Sequence, residues 1–238
     1  MLNFSSGGAP VLIACWSVKG GVGTTVVAAS LAVLLARAAP QGVLLVDLGG
    51  DAAVMFGRED EGRGIEDWLG AQPGVGAEEL HALEVAVGGG INLLGRGVEP
   101  DERGSARELA GGCAVPDHGR LASVLGSDPR PVIVDLGTQL HWADMHEVLH
   151  RAATKSLLVL RPCYLAVRRA VALSLRPNAL VIIDEPGRSL RVDDIEEVLG
   201  VPAAARLLVD PAVARTVDSG LLGVRLPRSL ERGLRHVA

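Results

Sequence analysis

The sequence predicts an α/β fold of three layers, in which helices cover both faces of a mostly parallel sheet. Short apolar runs alternate along the chain with segments of helical length, and this alternation is typical of a parallel sheet. The runs are apolar at successive positions, as expected of strands buried on both faces. Hydrophobic residues make up 48% of the 238 residues and aromatic residues only 3%, so Ala, Val and Leu must build most of the core. We expect a single domain over residues 1–238, because the chain shows neither a domain boundary nor a repeat.

The predicted strands are short apolar runs that mostly end in a charged or proline-containing loop. VLIACWS begins the series, and GVLLVDL, RPVIVDLG, SLLVLRP, ALVIIDEP and ARLLVDP repeat its pattern. EVAV and INLL, separated by three glycines, are weaker candidates. The predicted strands lie at 11–17, 42–48, 84–87, 91–94, 130–137, 156–162, 179–186 and 205–211.

The predicted helices lie between these strands. The first has helical composition from residue 24 and stops before Pro40, and the others are amphipathic. The glycine- and charge-rich stretch 49–76 lacks such a pattern, and we expect it to be a mobile loop. The predicted helices lie at 24–38, 139–153, 164–175, 191–199 and 211–219.

Charged side chains fall at the carboxyl ends of the predicted strands, where α/β sheets bind their ligands. The formal net charge of −5 gives no overall attraction for nucleic acid or an anionic membrane. Residues 1–10 lack the basic region of a secretion signal, and the three cysteines have no metal-like spacing, so we expect reduced thiols and a cytoplasmic location. The strand-end residues are Asp47, Asp135, Arg161, Asp184 and Asp210.

The segment KGGVGTT at 19–25 joins the first predicted strand to the first predicted helix. Glycines let backbone N–H groups approach phosphate oxygens, and a helix N-terminus adds positive potential. Thr25, at the start of the helix, is placed to hold Mg²⁺. The general P-loop pattern has a glycine at Val18 and a lysine at Thr24, so the match to that pattern is incomplete. The candidate nucleotide-binding residues here are Gly20, Gly21, Val22, Gly23, Thr24 and Thr25.

With Lys19 directly before Gly-Gly-Val-Gly, the segment resembles the deviant P-loop KGGVGKTT of the ParA/MinD family of ATPases, with a single substitution at Thr24. VLLVDLGGD resembles the second-strand segment of that family, which usually reads Asp-x-Asp. Asp47 matches the first aspartate, and Gly49 replaces the second. RPVIVDLGT resembles the Walker B strand, which ends here at Asp135.

The resemblance continues to the end of the chain. RLLVDPAVARTVDSGLL resembles the C-terminal stretch that passes near the base, which makes Asp210 a candidate nucleotide-binding residue. DWLG and RPCYLAVRR resemble the branch that includes TadZ/CpaE-like and septum-site-like proteins. The family often has an asparagine on the adenine side where this chain has Asp184 and Glu185, so the identity of the base stays open.

The resemblance implies a switch that binds ATP or ADP with Mg²⁺. Two subunits sandwich two ATP molecules, and the lysine equivalent to Lys19 reaches the partner's nucleotide. Lys19, Asp47 and Asp135 are then the candidate catalytic residues. The family's dimer binds DNA, a membrane or a partner protein, so we expect a nucleotide-dependent homodimer, a protein partner, and a cytoplasmic location that extends to a membrane surface or cell pole. The net charge supports neither DNA nor membrane binding.

Two departures bear on the chemistry. The lysine missing at Thr24 normally contacts the β- and γ-phosphates, and the loss of one charge-assisted contact costs about 1.5–3 kcal/mol. The aspartate missing at Gly49 helps to place the attacking water in the family. The sequence therefore predicts a degenerate switch or scaffold, with weak nucleotide binding and weak or absent hydrolysis, that positions or assembles a cellular structure. An active ATPase of the same family is the alternative.

Other interpretations of the glycine-rich loop stay open. It is a remnant that only turns a strand into a helix, or it is a dinucleotide site. Gly21-Val22-Gly23 with Asp47 at the end of the next strand imitates the dinucleotide pattern, but Val26 stands where that pattern has its last glycine.

HEVLH at 146–150 fits H-E-x-x-H, in which His146 and His150 hold zinc and Glu147 is the base of a hydrolase. A catalytic zinc needs a third ligand, and residues 151–183 contain no His, Asp or Glu. We therefore expect an exposed polar face of a helix rather than a metal site.

The C-terminal segment RLPRSLERGLRHVA has apolar residues at helical spacing, with arginines between them. It resembles the membrane-binding helix at the end of MinD-like proteins, or it is a last helix packed on the sheet. The second interpretation is favoured because the segment is short and lacks an aromatic anchor.

Overall fold

The computed structural model describes residues 10–59, 62–71, 76–97, 117–139 and 144–238. The strands of the described residues are β1 (Leu12–Ser17), β2 (Val43–Asp47), β3 (Val85–Gly88), β4 (Ile91–Gly95), β5 (Val132–Thr138), β6 (Lys155–Leu160), β7 (Ala179–Asp184) and β8 (Ala203–Leu208). The helices are α1 (Thr24–Ala36), α2 (Ala52–Met55), α3 (Ile65–Leu69), α4 (Ala77–His81), α5 (His118–Gly126), α6 (Asp144–Ala152), α7 (Tyr164–Val171), α8 (Val192–Leu199), α9 (Pro211–Asp218) and α10 (Arg228–Leu234).

The strands form one sheet in the order β3-β4-β2-β5-β1-β6-β7-β8. The pairs are parallel except for β3 and β4, which form an antiparallel pair at one edge. β1 lies between β5 and β6, so the loop after β1 is in the middle of the carboxyl edge of the sheet. In the register of β2 with β5, Asp47 is paired with Asp135. This pairing places two carboxylates side by side near that loop, that of Asp47 at the end of β2 and that of Asp135 within β5.

Helices cover both faces of the sheet, as the sequence predicts. One face packs against α1, α2 and α10, with buried side chains such as Leu31 and Leu234. The other face packs against α3 to α8, with Trp68, Leu121 and Leu149 among its buried residues. The central strands contribute alternate side chains to the two cores, which explains why they are continuously apolar in sequence.

Helix α1 is buried on almost all sides because the sheet lies on one of its faces and α2 and α10 on others. Small residues such as Ala28, Ala29 and Ala32 are fully buried in it and allow this close packing. Ser30 is also fully buried, and its hydroxyl donates to the Val26 carbonyl at 2.6 Å. This hydrogen bond satisfies a polar group that the apolar core would otherwise penalise.

The stretch 49–76, expected to be a mobile loop, contains the short helices α2 and α3 in its described part. Ile65 and Trp68 of α3 are buried, and the Trp68 indole N–H donates to the Gly76 carbonyl at 2.8 Å. The helices α4 and α5 were not predicted either. Helices of one or two turns give too few residues for a periodic pattern, and their tertiary packing stabilises them instead.

The C-terminal segment packs on the sheet, which is the favoured interpretation of its sequence. Leu226, Leu230, Leu234 and Val237 are all buried in the same core as α1. None of the helices in the described residues has the length and apolar character needed to cross a bilayer. Cys15 and Cys163 carry free thiols, and Cys113 lies outside the described residues.

Candidate nucleotide site

The glycine-rich loop after β1 has a conformation that requires glycine at two positions. Gly21 has a φ of +72° and Gly23 a φ of +98°, both in the left-handed region. Gly23 also precedes the first turn of α1. The Ser17 hydroxyl donates to the Lys19 carbonyl at 3.1 Å, which helps to close the turn. The loop therefore directs backbone N–H groups and the N-terminus of a 13-residue helix at the same place.

A cavity of about 500 Å³ lies against this loop. Its walls come from the loop and α1, from the segment after β2, from the end of β5, and from single residues of more distant elements. Thr24 and Thr25 are both in the wall, and Thr24 is largely buried. The described lining residues are Gly20, Gly21, Gly23, Thr24, Thr25, Val26, Leu48, Gly49, Asp51, Met55, Arg96, Leu136, Gly137, Thr138 and His146.

Asp135 is fully buried beside the cavity, in the middle of β5, which continues to Thr138 and not, as the sequence predicted, only as far as the loop after the aspartate. Its Oδ1 accepts from the Gly137 N–H at 2.9 Å, while its buried Oδ2 has no hydrogen-bond partner among the described residues. The pKa of Asp135 is raised to about 7, first by burial and then by the negative charge of Asp47, while the Thr25 hydroxyl acts in the opposite direction. An orphaned carboxylate oxygen next to a threonine hydroxyl fits a Mg²⁺ site, since Mg²⁺ prefers oxygen ligands.

The carboxylate of Asp47 is engaged by the backbone of the next segment. Its Oδ1 accepts from the N–H groups of Gly49 and Gly50 at 2.9 and 2.8 Å, and its Oδ2 accepts from that of Ala52 at 2.7 Å. Burial raises the pKa of Asp47, and these three hydrogen bonds oppose the shift. Asp47 therefore organises the turn that leads from β2 into α2.

Gly49 lies at the junction of these groups. A Cβ atom on it would be 3.3 Å from Asp135 Oδ2, 3.5 Å from Asp47 Oδ1 and 3.7 Å from Thr25 Oγ1. A side chain at this position would therefore point directly into the cluster of two aspartates and a threonine.

The structure brings together most of the sequence-predicted site residues but not all of them. Lys19 is exposed and outside the cavity wall, and Val22 is buried in the core beneath the loop. Asp210 is also outside the described wall. Its carboxylate instead caps α9 by accepting from the Ala212 N–H, and it accepts from the Ser229 hydroxyl. Nucleotide contact by Asp210 stays a prediction from the resemblance.

Several lining residues were missed in the sequence. Asp51 is two positions beyond Gly49, Thr138 ends β5, and Arg96 directly follows β4. Arg96 was accessible to the strand-end argument, because the run INLL was already a strand candidate. His146 carried no such signal, since α6 brings it to the cavity from beyond β5.

The expected exposed polar face of HEVLH is wrong for its histidines. His146 and His150 are buried, and only Glu147 is exposed, in an ion pair with Arg151. His150 Nε2 lies 2.8 Å from Ser156 Oγ, and burial lowers the pKa of His150. The histidines face inward because α6 packs that side against the sheet. The groups of three or more metal-ligating side chains found among the described residues do not include either histidine.

Comparison with known proteins gives matches among solved structures. No protein-family model and no curated protein matches the chain. A ParA family ATPase from Chlorobium tepidum has a TM-score of 0.74 and 19% identity, over 95% of this chain and 96% of that chain. MinD from Pyrococcus horikoshii, in complex with Mg-ADP, has a TM-score of 0.68 and 19% identity, over 93% and 92%.

A putative plasmid partition protein from Borrelia burgdorferi, bound to AMPPNP, has a TM-score of 0.62 and 17% identity, over 96% of this chain and 97% of that chain. The three-layer architecture and the strand-loop-helix unit at its centre thus agree with the resemblance found in the sequence. The finer placement in a TadZ/CpaE-like branch stays a prediction. The chain has the fold of the ParA and MinD ATPases.

Proposed function

We propose that the protein is a nucleotide-binding switch or scaffold that binds ATP or ADP with Mg²⁺ weakly, hydrolyses it slowly or not at all, and helps to position or assemble a cellular structure. The observation that carries this proposal is the cavity at the glycine-rich loop, which has an intact glycine cradle and Thr25 but Thr24 in place of a lysine. Structures with the same fold include proteins bound to Mg-ADP and AMPPNP.

The residues that would hold Mg²⁺ are Thr25 and Asp135, because the hydroxyl of one and the orphaned Oδ2 of the other meet beside the loop. Bound there, Mg²⁺ would neutralise phosphate charge. Asp47 has a different role, since its three backbone hydrogen bonds hold the segment that carries Gly49 and Asp51. The glycine loop binds phosphate through backbone N–H groups, which does not depend on a lysine.

Slow turnover is expected from the residues at two positions, Thr24 and Gly49. Charge on the transferring phosphoryl group must be stabilised for hydrolysis, and an uncharged Thr24 cannot supply that charge. Gly49 cannot orient a water, because it has no side chain. Both losses affect one transition state, so their effects are not additive.

Titration calorimetry with ATP and with ADP, each with and without Mg²⁺, tests the binding. We expect Kd values in the micromolar range or weaker, and tighter binding with Mg²⁺. Thr25→Ala should weaken the Mg²⁺-dependent part by about tenfold or more. Ser127→Ala is the matched control, because that exposed hydroxyl donates to the Ser123 carbonyl of α5, outside the cavity wall. No heat and no thermal shift at millimolar nucleotide would show that the loop is a remnant.

Steady-state phosphate release tests the turnover. We expect a rate near background, a small gain in Thr24→Lys through tighter binding, and a larger gain only in the double variant Thr24→Lys with Gly49→Asp. Hydrolysis by the natural sequence on the order of 1 per second, lost in Thr25→Ala, would contradict the proposal of an impaired enzyme.

An active ATPase of the same fold is the second candidate, and Asp51 favours it. Asp51 is exposed, lies in the cavity wall and is only two residues from Gly49. Its charge also raises the pKa values of both Asp47 and Asp135, so it is electrostatically coupled to the site. Asp51→Asn distinguishes the two candidates. It should abolish phosphate release in an active enzyme, and it should leave the near-background rate of a scaffold unchanged.

Self-association is part of the proposal. Lys19 is exposed beside the start of α7, where Tyr164 is 74% and Leu165 is 41% exposed. The proximity is visible in Cys163, whose thiol accepts backbone hydrogen bonds and has a pKa that these bonds and the charge of Lys19 lower. An exposed apolar surface next to Lys19 is suited to contact with a second copy of the chain. Light scattering with and without Mg²⁺-ATP should show a dimer that Lys19→Ala and Tyr164→Asp weaken.

A further inference from the structure

The cavity is rich in negative charge. Asp51 lines it, and Asp47 at the end of β2 and Asp135 within β5 lie beside it. A nucleotide adds several more negative charges, which neither Thr24 nor the exposed Lys19 offsets from within the cavity wall. Among the described residues of that wall, the permanently cationic side chain is that of Arg96.

Arg96 is held in place by α3. Its backbone carbonyl accepts from the Glu66 N–H at 2.9 Å, and its side-chain Nε donates to Glu66 Oε1 at 3.3 Å. The backbones are in close contact here, since a Cβ atom on Gly64 would collide with the carbonyl oxygen of Gly95. The Arg96 side chain is 27% exposed, so it is neither buried in the core nor fully surrounded by solvent.

The order of the strands also places Arg96 across the cavity from the glycine-rich loop. In the order β4-β2-β5-β1, the strand before Arg96 is three positions from the strand before the glycine-rich loop. At the usual spacing of strands this is about 14 Å. Arg96 therefore lies across the cavity from the loop, on the far side of the segment after β2 that carries Gly49 and Asp51.

We propose that Arg96 supplies the positive charge at the terminal phosphate of the bound nucleotide, in place of the lysine that Thr24 replaces. This inference rests on the proposed nucleotide site and names the cationic residue that strengthens binding there. A guanidinium donates several hydrogen bonds in a fixed plane and suits a phosphate group better than a point charge does. Glu66 fixes the orientation of that plane through Nε.

Titration calorimetry of the full chain with Mg²⁺-ATP, Mg²⁺-ADP and inorganic tripolyphosphate tests the proposal. Arg96→Gln should weaken ATP and tripolyphosphate by about tenfold or more, and ADP by a smaller factor, because ADP lacks the terminal phosphate. Arg96→Lys should recover part of the loss. Arg58→Gln is the matched control, since Arg58 is exposed outside the cavity wall and donates to the Ala86 carbonyl.

A double-mutant cycle separates charge from structure, because Arg96→Gln also removes the contact with Glu66. Thr24→Lys should restore ATP affinity in the Arg96→Gln background and add much less in the wild-type background. Equal gains in both backgrounds, or unchanged ATP affinity in Arg96→Gln, would overturn the inference while the nucleotide site itself stands. Failure of the wild-type chain to bind any of the three ligands would overturn both.

Discussion

At Gly49 the absence of a side chain controls the charge of the site. Its Cβ position is within 3.5 Å of carboxylate oxygens of both Asp47 and Asp135. A third carboxylate at this point would share a buried region with two others, and like charges so close raise each other's pKa values and destabilise the folded state. The glycine therefore keeps the apo site from becoming more acidic, at the expense of a group that could act on water.

We expect Gly49→Asp to lower the free energy of unfolding of the apo protein by about 1–2 kcal/mol more than Gly49→Asn at pH 7, because only the aspartate adds charge. Added MgCl₂ should reduce that difference, since the cation offsets the carboxylates. Urea unfolding of both variants with and without Mg²⁺ measures this. Equal stability of the two variants would mean that the cluster is better solvated than its burial indicates.

Helix α6 is joined to the sheet by a small polar network inside the core. Ser156 of β6 is 2.8 Å from both the Trp16 indole nitrogen, which donates to it, and His150 Nε2. The rings of Trp16 and His150 meet edge to face at 5.3 Å. The second histidine of HEVLH therefore has a structural contact that accounts for its burial.

We expect Ser156→Ala to lower the free energy of unfolding by about 1–3 kcal/mol, because it removes the acceptor of a buried indole N–H. Ser127→Ala is the control, since that exposed hydroxyl bonds only to its own helix, and it should change stability by less than about 0.5 kcal/mol. Thermal and urea unfolding of the two variants measure the difference. A Ser156→Ala protein as stable as the control would show that the network contributes nothing.

The central strands were predictable because they are buried on both faces, so a strand such as β2 is apolar at successive positions up to Asp47. The helices α2 to α4 were not, because none spans more than five residues and their stability comes from contacts distant in sequence. The same limit applies to the site. The glycine-rich loop is contiguous, so the sequence alone indicates it. Arg96 directly follows a strand candidate and is accessible to the same strand-end argument, whereas His146 comes to the cavity on α6 and is placed there only by the fold.

At the scale of the whole molecule, Arg130 stabilises the side of the sheet opposite the cavity. Arg130, which precedes β5, donates to Glu84 Oε1 and to Asp128 Oδ2, each at 2.7 Å. Burial alone would raise the pKa of Glu84, but hydrogen bonds from Arg130, Asn92 and His81 outweigh it and lower the pKa below 4.5. The network ties the segment between α4 and β3 to the segment between α5 and β5.

This network should make stability depend on pH. Because the folded-state pKa of Glu84 is below that of the unfolded chain, its contribution is complete above pH 4.5 and is lost as the pH falls through the folded-state value. We expect Glu84→Gln to be less stable than wild type at pH 7, with a difference that shrinks below about pH 4.5. Urea unfolding at pH 7, 5 and 3.5 checks this. A difference that is constant with pH would assign the effect to packing.

The central position of β1 has a consequence for synthesis on the ribosome. Leu12 of β1 donates its backbone N–H to the hydroxyl of Thr154, which is 142 positions later in the chain. At about 5–20 residues per second, the ribosome needs roughly 7–30 s to make the residues between them. In the later part of that interval β1, α1 and β2 have been synthesised, while the strands β5 and β6 that pair with β1 are still incomplete. Nascent chains should therefore be captured by holdase chaperones until the second half of the sheet has emerged.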